Sequence, residues 1–109
     1  IEVYSKKGTT RANHYHKKDK HFIYVITGEI LYFYKDRKKG SKVQTKKMKK
    51  NDLFFTPAMQ EHMAYFLKHT HFLAFSTRKR TRFDYEKDLV RVNMKNYPDV
   101  KKAILKNRK

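Results

Sequence analysis

Apolar and aromatic residues alternate with polar ones along most of the chain, in short runs broken by charged stretches. An alternation of period two marks strands whose successive side chains leave opposite faces. Helical periodicity is absent until the last dozen residues. The pattern predicts strands over residues 3–6, 12–17, 21–27, 29–35, 41–46, 53–56, 62–67 and 71–77, with a further short one at 90–92. Tyr, Phe, Val and Ile fill them, residues that suit a pleated surface. Many short strands parted by turns describe an all-β sandwich or barrel.

The breaks have chemistry of their own. Thr27, Gly28 and Glu29 read as a tight hairpin, with Gly28 supplying a conformation that other residues resist. Residues 36–41, containing Gly40, read as a longer charged hairpin loop, and 47–52 as a polar turn. Pro57 ends a strand, because it has no N–H for the ladder. Near the end, Pro98 suits the first turn of a helix on which Val100, Ala103 and Ile104 share a face. Residues 1–95 are therefore expected to form one β-barrel domain, with 96–109 as its tail or short helix.

Two strands are apolar on both faces, 22–26 and 30–34. One set of each should fill the barrel, and the other needs cover. Phe22, Tyr24, Ile26 and Tyr32 are the expected outward residues, and a homodimer is the expected cover. The chain starts at Ile1 rather than Met, so a preceding segment, such as an N-terminal strand, is a second candidate.

At 109 residues the chain has the size of one modest domain. No stretch approaches the roughly 20 apolar residues of a membrane span, and no secretory signal pattern is visible. It has no Cys, which excludes disulfides and thiolate ligands and fits the cytoplasm. Lys and Arg number 28 against 10 Asp and Glu, a formal charge of +18. Such a field attracts anions. The lysines are scattered through every loop, however, and Lys, Asn, Ile, Phe and Tyr are together abundant, as in an AT-rich coding sequence. With no nucleic-acid motif in view, a small anionic metabolite is the favoured partner over a polynucleotide.

Of the six His, four are spaced informatively. His14 and His16 lie two apart on one strand, so both rings leave the same face. His21 opens the next strand in parity with Ile23 and Val25, and His62 opens another, five residues after Pro57. If these strands line one barrel, the four converge on a site for a divalent transition metal: zinc, nickel, iron, copper or manganese. His69 and His71 fit no such pattern and read as packing or surface residues.

The run Gly8, five residues, His14-Tyr15-His16, four residues, His21, six residues, Gly28 resembles the first cupin motif, G(X)5HXH(X)3–4E(X)6G. The segment from Asn51 through Pro57 to His62 resembles the second. The resemblance implies a cupin-type double-stranded jelly-roll β-barrel with at most one short C-terminal helix. There are departures: His21 stands for the motif's Glu, Asn51 and Met59 for two glycines, and Phe66 for its final Asn. With His21, all four ligands are neutral, which disfavours magnesium and calcium.

Residues 8–17 are also similar to a segment of cupins that act on nucleotide-linked sugars. These are TDP-4-keto-6-deoxyglucose ketoisomerases, capsular polysaccharide cupin domains and, more loosely, dTDP-sugar 3,5-epimerases. Ala12 replaces a glycine of that segment. Thr77, Arg78 and the stretch from Asp84 to Asp88 resemble the ends of such domains. This likeness implies a keto-sugar isomerase or epimerase of surface-polysaccharide biosynthesis, with His14 or His16 as general base and Arg11 holding a diphosphate. Strict alternation puts Arg11 on the face opposite His14, so a bulge is needed. Tyr15 should face away from the His pair, and Lys17 should be solvated. The alternatives are a metal-dependent dioxygenase or lyase acting on a small molecule and a non-enzymatic ligand-binding module.

Overall fold

The computed structural model describes residues 1–76 and 87–108. Among these it forms nine strands: β1 (Glu2–Ser5), β2 (Thr10–His16), β3 (His21–Thr27), β4 (Glu29–Asp36), β5 (Gln44–Lys49), β6 (Leu53–Thr56), β7 (Gln60–Phe66), β8 (Thr70–Ser76) and β9 (Leu89–Arg91). A 3-10 turn, Met94–Asn96, and one helix, α1 (Pro98–Asn107), follow. The strands make two antiparallel sheets, one ordered β1-β8-β3-β6 and the other β5-β4-β7-β2-β9. This is the cupin-type jelly roll that the motifs implied, with a short helix near the C-terminal end of the described residues.

Between the sheets lie Val25, Ile30, Tyr32, Met48, Ala64, Phe66 and Phe72. Their alternation decides which face of each strand looks inward. Tyr32 is fully buried here, and its hydroxyl pairs with that of Thr56. The expectation that Tyr32 faces outward is therefore wrong: on β4 the outward set is Leu31 and Phe33. These are covered by the chain's own C-terminal segment, through Met94 and Val100. Burying such a valine contributes about 1.5–3 kcal/mol. The apolar face of α1 thus does for the five-stranded sheet what a second subunit was expected to do.

The four-stranded sheet has no such cover among the described residues. Phe22 and Tyr24 face outward as expected, alongside the exposed Tyr4, Leu53, Phe55 and Phe75.

Two local readings need correction. The turn at Gly28 is a corner between sheets, because β3 and β4 do not pair; β3 joins β6 and β8, while β4 joins β5 and β7. Gly28 has φ +105°, and a Cβ there would sit 2.4 Å from Thr70 Oγ1, so the corner tolerates only glycine. The strand expected at 41–46 runs over Gln44–Lys49 instead. Its register is set by Met48, which enters the core opposite Ile30. The hairpin between β4 and β5 is present. No helix among the described residues is long and apolar enough to cross a membrane.

Candidate metal centre

Four imidazoles meet inside the barrel. His14 and His16 come from β2, His62 from the neighbouring β7, and His21 from β3 of the facing sheet. Neighbouring ring centroids lie 4.8 Å apart for His14–His16, 4.7 Å for His14–His62 and 4.4 Å for His16–His21. The ligating atoms of His14, His16 and His62 all fall within 4.8 Å of one another. His21 joins a second group of the same tightness, with His16 and Asp19. The expected four-His set is thus gathered in one place, but as two triads that share His16.

The way β2 delivers its residues depends on a bulge. Arg11 is opposite Ala64 and His14 opposite His62, so one extra residue sits between Ala12 and His14. Ala12 and Asn13 accommodate it with φ of 70° and 68°, a left-handed conformation that costs an ordinary residue about 1–2 kcal/mol. Asn13 is anchored there, since its side-chain oxygen accepts from the Met94 N–H at 2.7 Å and its carbonyl from Val92 N–H at 3.0 Å. Ala64 and His62 share a face of β7, so the bulge puts Arg11 on the same face as His14. Arg11 is exposed there, and its Nε donates to Ser5 Oγ at 2.9 Å.

The glycine positions of the motifs keep their geometry although the residues changed. Asn51 has φ 72° and Met59 φ 60°. Met59 is held by its N–H donating to the His16 carbonyl at 2.7 Å, while its own carbonyl accepts from Arg37 at 3.0 Å. That contact places the second motif directly behind the first.

Electrostatics separates the imidazoles. Burial, then the neighbouring His62, His16 and His21 and finally Arg91, pushes His14 down to about 2. Burial also pushes His62 down to about 4, with His16 and His21 adding to the shift; a hydrogen bond to the Gln60 carbonyl opposes it. That bond, 3.1 Å from Nδ1, requires the proton on Nδ1 and leaves Nε2 with the lone pair. His16 is different: its Nδ1 lies 3.2 Å from Asp88 Oδ2. Burial raises the Asp88 carboxyl, but the backbone N–H groups of Lys18 and Asp19, with His16, outweigh it and hold Asp88 below its ordinary value. An imidazole that gives one nitrogen to a carboxylate and aims the other into a cluster is the usual arrangement behind a metal ligand, and also behind a catalytic base.

Asp19 and Asp88 border the cluster, and sequence reasoning missed both. Asp19 is 1% exposed, lies 3.4 Å from His21 Nε2 and accepts from Ser76 Oγ. The available signal was a lone acid in the basic turn before His21 and the acidic run ending at Asp88. Thr77, Arg78 and 84–86 of that likeness lie outside the described residues. His71 stacks on Tyr4 and meets Glu2 on the outer surface, and His69 accepts from the Lys7 N–H. Tyr15 packs on the outside under Arg37, and Lys17 is exposed. The donor chemistry fits a divalent first-row ion: three imidazoles, two kept neutral by burial and two with their second nitrogen fixed.

No protein-family model matches the sequence, and no curated protein matches it as a relative. Solved structures do match in fold. The capsular polysaccharide assembling protein CapF from Staphylococcus aureus matches with a TM-score of 0.73 at 15% identity, over 84% of this chain and 27% of that one. A dTDP-4-dehydrorhamnose 3,5-epimerase from Sulfolobus tokodaii gives 0.73 at 20% identity, over 90% and 60%. A 3,4-ketoisomerase from Helicobacter canadensis gives 0.70 at 12%, over 93% and 73%. The chain therefore spans about a quarter of the length of CapF and over half that of the epimerase. The barrel has the jelly-roll fold that the two motifs implied, and these neighbours share it.

Proposed function

We propose that this chain is a metal-binding cupin that isomerises or epimerises a nucleotide-linked keto-sugar in the cytoplasm. The observation that carries this reading is the convergence of the His14, His16 and His62 donor atoms within 4.8 Å, in a barrel folded like enzymes named for such reactions. A bound divalent ion would supply Lewis-acid polarisation of the substrate's oxygen. His14 and His62 remain neutral near pH 7, the state that ligates. The same low proton affinity makes His14 and His62 poor bases; of the two imidazoles expected to act as base, His16 with Asp88 behind it is the competent one, and only when its other nitrogen does not hold the ion. A proton removed beside the ketone and returned to the same carbon from the other face inverts that carbon. Returned to the carbon that bore the ketone, with the hydroxyl proton passing between the oxygens, it moves the carbonyl. Arg11, on the His14 face, is the group assigned to the diphosphate.

A second reading is favoured by the 3.2 Å contact of His16 with Asp88: His16 works as base with no metal present. Elemental analysis of protein purified without an affinity tag separates the two. Near-stoichiometric metal, lost in His14→Ala/His16→Ala, supports the metal centre; only traces leave the acid–base form.

The same reading includes a homodimer through the outer face of the four-stranded sheet. In a chain of charge +18, the outward positions of these strands include no Lys or Arg. Two copies can therefore meet there without bringing like charges together.

A further inference from the structure

With His21 in place of the motif's Glu, a four-imidazole site would leave a bound dication wholly uncompensated by its ligands. The turn between β2 and β3 supplies a carboxylate that the motif spacing does not reveal. Asp19 is 1% exposed, and one of its oxygens lies with the ligating atoms of His16 and His21 inside a 4.8 Å group. His16 is flanked almost evenly, by His14 at 4.8 Å and His21 at 4.4 Å between ring centroids. The all-imidazole triad and the mixed triad are thus two halves of one cluster. Asp19 is also held in place. Ser76 Oγ lies 2.8 and 2.7 Å from its two oxygens, and the Lys20 N–H donates to Oδ1 at 2.9 Å. A ligand positioned by such contacts loses little freedom on binding an ion.

We infer that Asp19 is an anionic ligand of the ion, acting with His16 and His21 in place of the carboxylate missing at position 21. This rests on the metal-binding reading above and specifies its ligand set. One carboxylate lowers the charge of the loaded site by one unit. It also moves the donor set from one that suits copper, nickel and zinc toward one that accepts manganese and iron as well.

The test uses chelator-stripped protein titrated separately with Mn²⁺ and Zn²⁺, wild type beside Asp19→Asn. The substitution keeps the side chain's size and removes its charge. We expect Mn²⁺ affinity to fall at least about tenfold, and by more than Zn²⁺ affinity falls. Difference infrared spectra of the wild type on adding Zn²⁺ should show a carboxylate stretch that shifts, and that shift should vanish in Asp19→Asn. Unchanged Mn²⁺ affinity in the variant overturns the assignment. So does wild-type protein that takes up metal with no carboxylate shift, a result that needs no variant to fold. Wild-type protein that takes up no metal overturns the metal reading itself, and the two failures are thereby told apart.

Discussion

Lowering the pH from 7 to 5 should strip several kcal/mol from the stability of the metal-free barrel, because two of its histidines are folded in their neutral form. The folded values of His62, about 4, and His14, about 2, lie below the ordinary 6.5. As the pH falls, the unfolded chain takes up protons that the folded chain refuses. Their stabilising contribution is complete above about 6.5 and drains away as the pH falls toward 4 for His62 and toward 2 for His14. At one pKa unit per 1.36 kcal/mol, each histidine loses about 2 kcal/mol between pH 7 and 5, or about 4 kcal/mol together. That is a large share of the roughly 5–15 kcal/mol that holds a typical domain folded. Carboxylates remain ionised across most of this window, so the slope reports the imidazoles. The assay is urea unfolding at pH 7, 6 and 5 in the presence of chelator, followed by circular dichroism, with His62→Gln alongside. The variant cannot titrate and should lose about half of the pH dependence. A stability that stays level between pH 7 and 5, or a His62 ring that titrates near 6.5 by NMR, would refute the reasoning.

Three further outcomes are expected. Gly28→Ala should destabilise the fold by more than about 2 kcal/mol in urea, since its Cβ meets Thr70 and His69 backbone atoms at 2.6 and 2.7 Å in a left-handed corner; a loss under about 0.5 kcal/mol would show that the corner relaxes freely. Met59→Gly should raise the urea midpoint, because relief of the φ 60° strain outweighs the added freedom of the unfolded chain by some tenths of a kcal/mol; a lowered midpoint would count against strain at this position. Light scattering near physiological ionic strength should show a dimer that Phe55→Lys/Phe75→Lys converts to monomer, whereas a wild-type monomer at micromolar concentration would exclude the outer-sheet interface.

What could be read from the chain alone was what is encoded locally. The strands follow from period-two patterning, and the pairing of His14 with His16 from their separation by two. The approach of His21 and His62 followed from motif spacing. The rest depends on partners distant in the chain. Nothing near Gly28 says that β3 and β4 part into different sheets, because their hydrogen-bond partners lie at β6, β8, β5 and β7. Tyr32 reads as outward from the sequence because both faces of its strand are apolar, and only the packing of α1 against Leu31 and Phe33 decides the parity. Arg11 reaches the His14 face through two residues, Ala12 and Asn13, whose left-handed backbone no propensity scale favours strongly. Asp88 supports His16 from 72 positions away, and Asp19 looks like one more charge in a solvated turn until Ser76 and His21 close over it.

The most direct test of the account is solvent-deuterium exchange at the carbon beside the keto group of a dTDP-4-keto-6-deoxyhexose. Incorporation is followed by NMR with wild type, His16→Ala and Asp88→Asn. The account predicts exchange with the wild type, its disappearance in His16→Ala and a marked slowing in Asp88→Asn, with the barrel still folded in each. Absence of both exchange and binding at millimolar substrate would contradict it.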